Sequence, residues 1–304
     1  MPDFQWPTSS LSVKTTDVEF HYFEFGRKDG IPIIFLHGFP DAPGGWRQVL
    51  RGLDHARFRI VVPYLRGFGG TNVLHEAKVT GQQAALAHDL LSLMDALHMP
   101  RAHVVGHDWG STTANSAALI EPNRFLTLTT LASPYLLWKG GMIPPEQVHA
   151  FWYQFYFQLD VAQQMLESNA VAFCKALWRT WSPAWRFSQA AFEEAAAAWN
   201  NPQFVAIVLN YYRMRWKNAL SRPAYAQLQA TLEAEPKPAI DVPALHIQGC
   251  DDACVLPAAV DGQEKYFTHG YGRIDIPGAG HYPHREKPAD VLTAIVNHFD
   301  LHEP

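Results

Sequence analysis

The segment His103–Thr112, HVVGHDWGST, puts a carboxylate where an apolar strand would turn into a helix. Gly106 and Gly110 flank the central residue, Asp108, at the spacing of a nucleophile elbow, with aspartate in the position that serine usually holds. Such a turn demands backbone angles that strain ordinary residues, and the glycines leave room for it. The amides opening the following helix favour negative charge beside Asp108. The alternative is structural, since aspartate is also a favoured helix N-cap. As a nucleophile, a carboxylate attacks an electrophilic sp³ carbon and forms an alkyl-enzyme ester, which water must then cleave.

That second step needs a general base, a carboxylate to orient it and an oxyanion hole. His37-Gly38-Phe39-Pro40, after a solid apolar run, can offer the Phe39 N–H, with the Trp109 N–H as its partner. A strand-ending turn made with glycine and proline is the alternative reading. The base candidate is His281, in Gly278-Ala279-Gly280-His281 past the last strand, because ligand sites in parallel sheets lie outside the carboxyl ends of the strands. His284 competes with it. The orienting carboxylate should follow the strand ending at Gly249; Asp252 is preferred over Asp251. The chain order is nucleophile, acid, histidine. Arg66-Gly67-Phe68-Gly69-Gly70 lacks a P-loop lysine and reads as a structural turn at the rim of the site.

The elements that would position these groups alternate. Val18–Gly26 has the alternation of a half-buried strand, and Ile31–Leu36 and Phe58–Leu65 are solid apolar runs of the kind buried on both faces. A helix is expected over Gly81–Leu97, a short strand at His103–Gly106, a helix from Trp109 to about Ile120 and a strand at Leu126–Ala132. Strands separated by helices argue for βαβ units and a mostly parallel central sheet with helices on both faces. The rhythm breaks over 134–235, which is helical in pattern and holds Trp138, Trp152, Trp178, Trp181, Trp185, Trp199 and Trp216, seven of the ten tryptophans. Strands resume at Pro243–Gly249 and Tyr271–Pro277, and an amphipathic helix spans Pro288–Phe299. The expectation is an α/β core of residues 1–133 and 236–304 interrupted by a helical cap of residues 134–235.

Composition bounds the function. At 304 residues, 48% hydrophobic and 17% charged, the chain can build a sizeable core. Its net charge of −5 offers no positive excess for nucleic acid or an anionic membrane surface. No apolar run approaches the ~20 residues of a membrane span. The opening MPDFQWPTSS has no secretory pattern, so a cytoplasmic protein is expected. Three cysteines suit no disulfide framework; Cys250 and Cys254 suggest a metal half-site with no second pair to complete it, and free thiols are expected.

HGFP at His37, RGFGG at Arg66, GHDWG at Gly106, GCDD at Gly249 and GAGH at Gly278, in this order, resemble the α/β-hydrolases of the epoxide hydrolase and haloalkane dehalogenase branch. The resemblance covers nearly the whole chain. It implies the α/β-hydrolase fold, an Asp108 nucleophile, a His281–Asp252 pair, a helical cap and no cofactor or metal. FWYQFYFQ at Phe151 and NYYR at Asn210 resemble the two cap tyrosine motifs of epoxide hydrolases, which carries the donation of hydrogen bonds to the epoxide oxygen onto Tyr153 and Tyr212. Tyr156 and Tyr211 are the near misses, and packing alone is the alternative role. The implied substrates are an apolar epoxide and water. A haloalkane dehalogenase is the runner-up: Trp109 is shared, but Phe39 stands where an asparagine usually helps to hold halide, so a cap tryptophan would have to substitute. A non-catalytic binding protein on the same scaffold is a third possibility. A serine esterase is disfavoured, because no serine occupies the elbow. A homodimer is the base-rate expectation.

Overall fold

The computed structural model describes residues 4–136 and 142–302; Trp138 lies outside them. Among the described residues nine strands form one sheet: β1 (Leu11–Lys14), β2 (Val18–Gly26), β3 (Ile31–Leu36), β4 (Phe58–Pro63), β5 (Asn72–Val73), β6 (Ala102–His107), β7 (Phe125–Leu131), β8 (Ala244–Gly249) and β9 (Tyr271–Ile276). Their order is β1-β2-β4-β3-β6-β7-β8-β9, with β5 beside β2. The pairs made by β2 are antiparallel, and every pair from β4 to β9 is parallel.

Period-2 alternation divides the core between the two faces. In β3, Ile34 and Leu36 join the apolar cluster that takes in α2 (Gln83–Ala96) and α3 (Trp109–Ile120). Ile33 and Phe35 join the other cluster, with α1 (Arg47–Arg51) and α11 (Pro288–His302). Val104 and Val105 of β6 divide in the same way. The continuous apolar runs β3 and β4 are therefore buried on both faces, while β6 and β8 are buried with His103, His107, His246 and Gln248 among their residues.

Between β7 and β8 the described residues form helices and no strand: α4 (Pro145–Ala150), α5 (Trp152–Tyr156), α6 (Val161–Trp181), α7 (Gln189–Ala197), α8 (Phe204–Arg215) and α9 (Ala226–Leu232). A short α10 (Pro283–Glu286) follows β9. The helices after β7 share the α2–α3 cluster through Phe151, Trp178, Phe204 and Tyr212. Hydrogen bonds also join them to the strand-end loops, for example Trp178 Nε1 to the Pro40 carbonyl at 2.8 Å and Asn201 Nδ2 to the Thr71 carbonyl at 3.0 Å. None of the described helices is long and apolar enough to cross a membrane.

Elements depart from the expected spans by a few residues. The Phe58 strand stops at Pro63 and the helix after Gly81 begins at Gln83, while β1 and β5 are additions at the antiparallel edge.

Candidate active site

Asp108 stands between β6 and α3 with φ 51° and ψ −111°, a conformation that costs an ordinary residue strain. Its side chain makes no capping bond to α3. Instead Oδ1 accepts the Phe39 N–H at 2.8 Å, so the N-cap alternative is not realised. The close approach depends on glycine, since a Cβ on Gly38 would stand 2.5 Å from Asp108 Oδ1. The Trp109 N–H, the other amide expected here, follows Asp108 directly as the first residue of α3.

The loop carrying Phe39 is held by its own histidine. His37 Nε2 accepts the Leu65 N–H at 3.0 Å, which leaves Nδ1 to donate to the Gly38 carbonyl at 2.9 Å. Both bonds require a neutral ring, and burial lowers the His37 pKa to about 4.

His281 faces Asp108 from the loop after β9, with Nε2 3.8 Å from Oδ2 and no hydrogen-bond partner of its own among the described residues. Its Nδ1 lies 2.9 Å and 3.1 Å from the two Asp252 oxygens. Asp252 also accepts the Cys254 and Val255 amides and the Gln248 side chain, four donors that fix it in place. The competitors resolve: Asp251 is exposed, and His284 turns away to Asp41, 3.2 Å from its Nε2. Burial opposes the His281 imidazolium, but the Asp252 carboxylate and the contact with Asp108 outweigh it and raise the pKa to about 10.

Tyr153 and Tyr212 are fully buried, with ring centroids 5.4 Å apart. Trp109 Nε1 donates to Tyr212 Oη at 3.1 Å, and Gln154 Nε2 donates to Tyr153 Oη at 2.9 Å. Each hydroxyl thus accepts one bond; the Tyr212 proton has no acceptor among the described residues, and that of Tyr153 has only Cys254 Sγ, at 3.6 Å. Burial, with Asp108 among the lesser causes, holds both phenols well above the usual tyrosine pKa. The near misses are committed elsewhere. Tyr211 donates to Thr112 Oγ1 at 3.2 Å and accepts from Arg215 at 2.7 Å, and the half-buried Tyr156 packs on Phe173.

Several contributors were not legible in the sequence. His107 Nε2 donates to the His281 carbonyl at 2.8 Å, tying the elbow to the loop that carries the base. Asp41 takes a bidentate contact from Arg285 as well as His284. Asp41, His107 and His284 bring ligand-type atoms within 4.8 Å of one another, but Arg285 already neutralises Asp41, so the group is a buried ion-pair network. These pairs join residues far apart in the chain and carry no spacing signal. The RGFGG loop is the structural turn expected at the rim: buried Arg66 forms a fork with Asp89, both N···O distances 2.6 Å. The cysteines are free thiols; Cys250 is exposed, Cys254 is buried, and no metal-type cluster among the described residues includes either.

Residues 31–288 match the family described as alpha/beta hydrolase fold. The crystal structure of a "putative epoxide hydrolase" from Klebsiella pneumoniae is 33% identical, covers 96% of this chain and 97% of its own, and superposes with a TM-score of 0.88. Epoxide hydrolase A of Mycobacterium tuberculosis is 27% identical, over 95% of this chain and 96% of its own. An epoxide hydrolase of Caballeronia sordidicola is also 27% identical, over 97% of this chain and 94% of its own.

Proposed function

The chain belongs to the alpha/beta hydrolase fold family, among its epoxide hydrolases, and on that premise we propose the following roles for its residues. The reaction is hydrolysis of an epoxide to a vicinal diol. The observation that carries the assignment is the division of the Asp108 carboxylate. One oxygen is taken by the Phe39 amide, while the other faces the empty-handed Nε2 of His281, with two buried phenols beside it.

Asp108 Oδ2 attacks an oxirane carbon, and the C–O bond that breaks leaves an alkoxide on the neighbouring carbon. Tyr212 and Tyr153 both hydrogen-bond that oxygen, and one of them gives it its proton, becoming a tyrosinate held by the other contacts of the site. Their high pKa keeps both phenols protonated until so basic an acceptor appears. The product is an ester of Asp108 whose carbonyl oxygen, Oδ1, keeps the Phe39 amide, with the Trp109 amide as the proposed second donor of an oxyanion hole. His281, oriented by Asp252, removes a proton from water as it attacks the ester carbon. Collapse of the tetrahedral species expels the diol oxygen, Oδ2, which takes the proton held by His281; the proton left on the regenerated Asp108 carboxyl returns to the tyrosinate, and water has supplied the replacement oxygen. None of these steps calls on a cofactor or a metal.

The helical segment 134–235 is proposed as a cap over the strand ends, with residues 1–133 and 236–304 as the core; the two buried tyrosines it contributes support this division. A cytoplasmic setting and a homodimer belong to the same proposal, the first supported by three free thiols. Trp109 Nε1, which a halide would need, is engaged by Tyr212, which supports the epoxide over the haloalkane. Trp181 Nε1, buried beside Tyr153 and His281 without a partner among the described residues, is the cap indole that the haloalkane reading would use.

A single turnover of styrene oxide in oxygen-18 water tests the scheme by mass spectrometry. The first diol should carry unlabelled oxygen drawn from the protein, and one label should appear in Asp108. Diol labelled in the first turnover, with Asp108 unlabelled, would overturn the covalent route. Halide release from 1-bromobutane without any diol from epoxides would transfer the assignment to the dehalogenase.

A further inference from the structure

Two polar side chains stand where the core would take apolar ones. In β8, ALHIQG, Leu245 and Ile247 join the cluster of α1 and α11. His246 and Gln248 share the opposite face with Ala244, which joins the α2–α3 cluster, and they are 1% and 0% exposed. Polar groups buried in a central strand cost stability unless they are bonded, and an apolar pair of the same shape would serve the fold as well.

Both are bonded, and the bonds form one chain. Thr130 Oγ1 of β7 lies 2.8 Å from His246 Nδ1, His246 Nε2 lies 3.2 Å from Gln248 Oε1, and Gln248 Nε2 lies 3.1 Å from Asp252 Oδ2. The partners decide where each proton sits. Gln248 Nε2 faces three acceptors, Asp252 Oδ2 and the carbonyls of Gly249 and Val255, which makes this end of the amide the donor. Its Oε1 must then accept, which puts the His246 proton on Nε2 and leaves Nδ1 to accept from the Thr130 hydroxyl. Every donor therefore points from β7 toward Asp252, and each bond polarises the next. Burial keeps His246 neutral, with a pKa of about 4, and the charges beside it, Arg273 and Asp275 of β9, pair with each other at 2.7 Å.

The chain ends on the Asp252 oxygen nearer to the base. Oδ2 lies 2.9 Å from His281 Nδ1, whereas the Cys254 and Val255 amides donate to Oδ1. We infer that Gln248 is a positioning residue of the reaction, and that Thr130, His246 and Gln248 together set how tightly Asp252 holds the proton of His281. A donor on Oδ2 stabilises the carboxylate and weakens its grip on the imidazolium, so the ring can lose its proton once Asp108 is esterified. The other groups facing His281 do not supply this control. Asp108 loses its charge on esterification, burial lowers the pKa of His107 and His284, and Trp181 and Tyr282 are uncharged. The inference rests on the epoxide hydrolase reading for the kinetics, but not for the proton positions.

The test follows alkylation and ester cleavage separately, by rapid quenching of single turnovers of styrene oxide from pH 5 to pH 9. Gln248→Leu should slow ester cleavage at pH 7 by on the order of 10-fold and move its acid limb up by about one pH unit, while alkylation changes by less than about 3-fold. A role confined to the fold would slow both steps alike and leave the limb in place. His246→Phe should move the limb the same way by less, and His246→Gln, which restores an N–H toward Gln248, should return it. These two variants carry the test if Gln248→Leu does not fold. An unmoved limb in the folded variants, or equal slowing of the two steps, overturns the assignment. Histidine 15N NMR needs no substrate. It should place the His246 proton on Nε2, and the His281 imidazolium should titrate at higher pH in Gln248→Leu than in the wild type. Both signals as expected in an enzyme inert toward epoxides would sustain the chain and refute the reaction. Diol formation with the His246 proton on Nδ1 would do the reverse.

Discussion

At the scale of single residues, the central question is how His281 can be a base. Burial alone would favour the neutral imidazole, but two carboxylates face it and hold its pKa at about 10. The resting enzyme at neutral pH therefore carries an imidazolium paired with Asp252 and Asp108, which cannot accept a proton. Esterification removes the charge on Asp108, and with it part of what raised the pKa. Alkylation of the nucleophile thus prepares the base for the second step. The sign follows: the ester-state pKa is lower than that of the free enzyme, and ester cleavage slows as pH falls through it. Rapid quenching at pH 5 should trap more alkyl-enzyme than quenching at pH 8, and His281→Gln should accumulate it at both, as a protein mass increment equal to one substrate. An ester fraction that is the same at the two pH values in the wild type would remove His281 from this role. Asp108, Asp252 and His281 were legible because each follows a strand end flanked by glycine, where spacing narrows the choice to one or two residues. His107, Asp41 and Arg285 were not, because a contact across 174 or 244 residues leaves no local pattern.

At the scale of elements, the segment after β9 depends on the end of α6. Ser182, the residue after α6, accepts the His281 N–H at 2.8 Å and donates to Glu286 of α10 at 2.7 Å. Glu286 in turn accepts the Gly280 N–H at 2.9 Å and the Tyr282 N–H at 3.0 Å, so one carboxylate grips the backbone on both sides of His281. The packing is too close for any side chain at Gly280, where a Cβ would meet Ser182 Oγ at 2.4 Å. Glu286→Ala should cost about 1–3 kcal/mol of stability, since it strands several polar groups. It should also lower kcat by on the order of 10-fold with KM little changed, because a displaced His281 affects ester cleavage more than binding. Thermal melts and steady-state kinetics check both effects. A kcat equal to wild type in a destabilised variant would show that Glu286 supports the fold alone. Elements were legible in proportion to their burial. The inner strands β3, β6 and β8 are almost wholly buried and carry short apolar runs that announce them, whereas β1 is LSVK, three of its four residues exposed, and β5 has only two residues. Neither edge strand has enough pattern to be read.

At the scale of the whole molecule, helices and sheet share buried surface, so protonation at any one site acts on a single folded unit. The α2–α3 cluster runs without a break from Val18 of β2 to Trp178 and Tyr212 of the helices after β7, and the Arg47–Glu194 pair at 2.6 Å and the Thr80–Asn210 bond at 2.6 Å tie further points across the join. One cooperative unfolding transition is expected in place of two. Within that unit, burial holds the pKa of six histidines down: His37, His246 and His298 to about 4, His103 to about 3, and His107 and His284 below the usual value. Above pH ~6.5 these rings are neutral whether the chain is folded or not, and they add no pH dependence. Below it the unfolded chain takes up protons that the folded chain refuses, so stability falls with pH, by up to ~1.4 kcal/mol per unit for each ring. His281 runs the other way. Its raised pKa gives a contribution fully present below pH ~6.5 and lost as pH climbs toward about 10. Asp41 adds a loss below pH ~4, where the unfolded chain protonates a carboxyl that Arg285 and His284 keep ionised in the fold. Six rings against one give a clear expectation for mildly acid solution. Calorimetry should show a single transition whose Tm drops by on the order of 10 °C or more between pH 7 and pH 5, while a similar step upward from pH 7 to pH 9 changes it far less. Equal Tm values at pH 7 and pH 5 would mean that these rings take up protons inside the fold, and the neutral hydrogen bonding derived for His37 would fall with them.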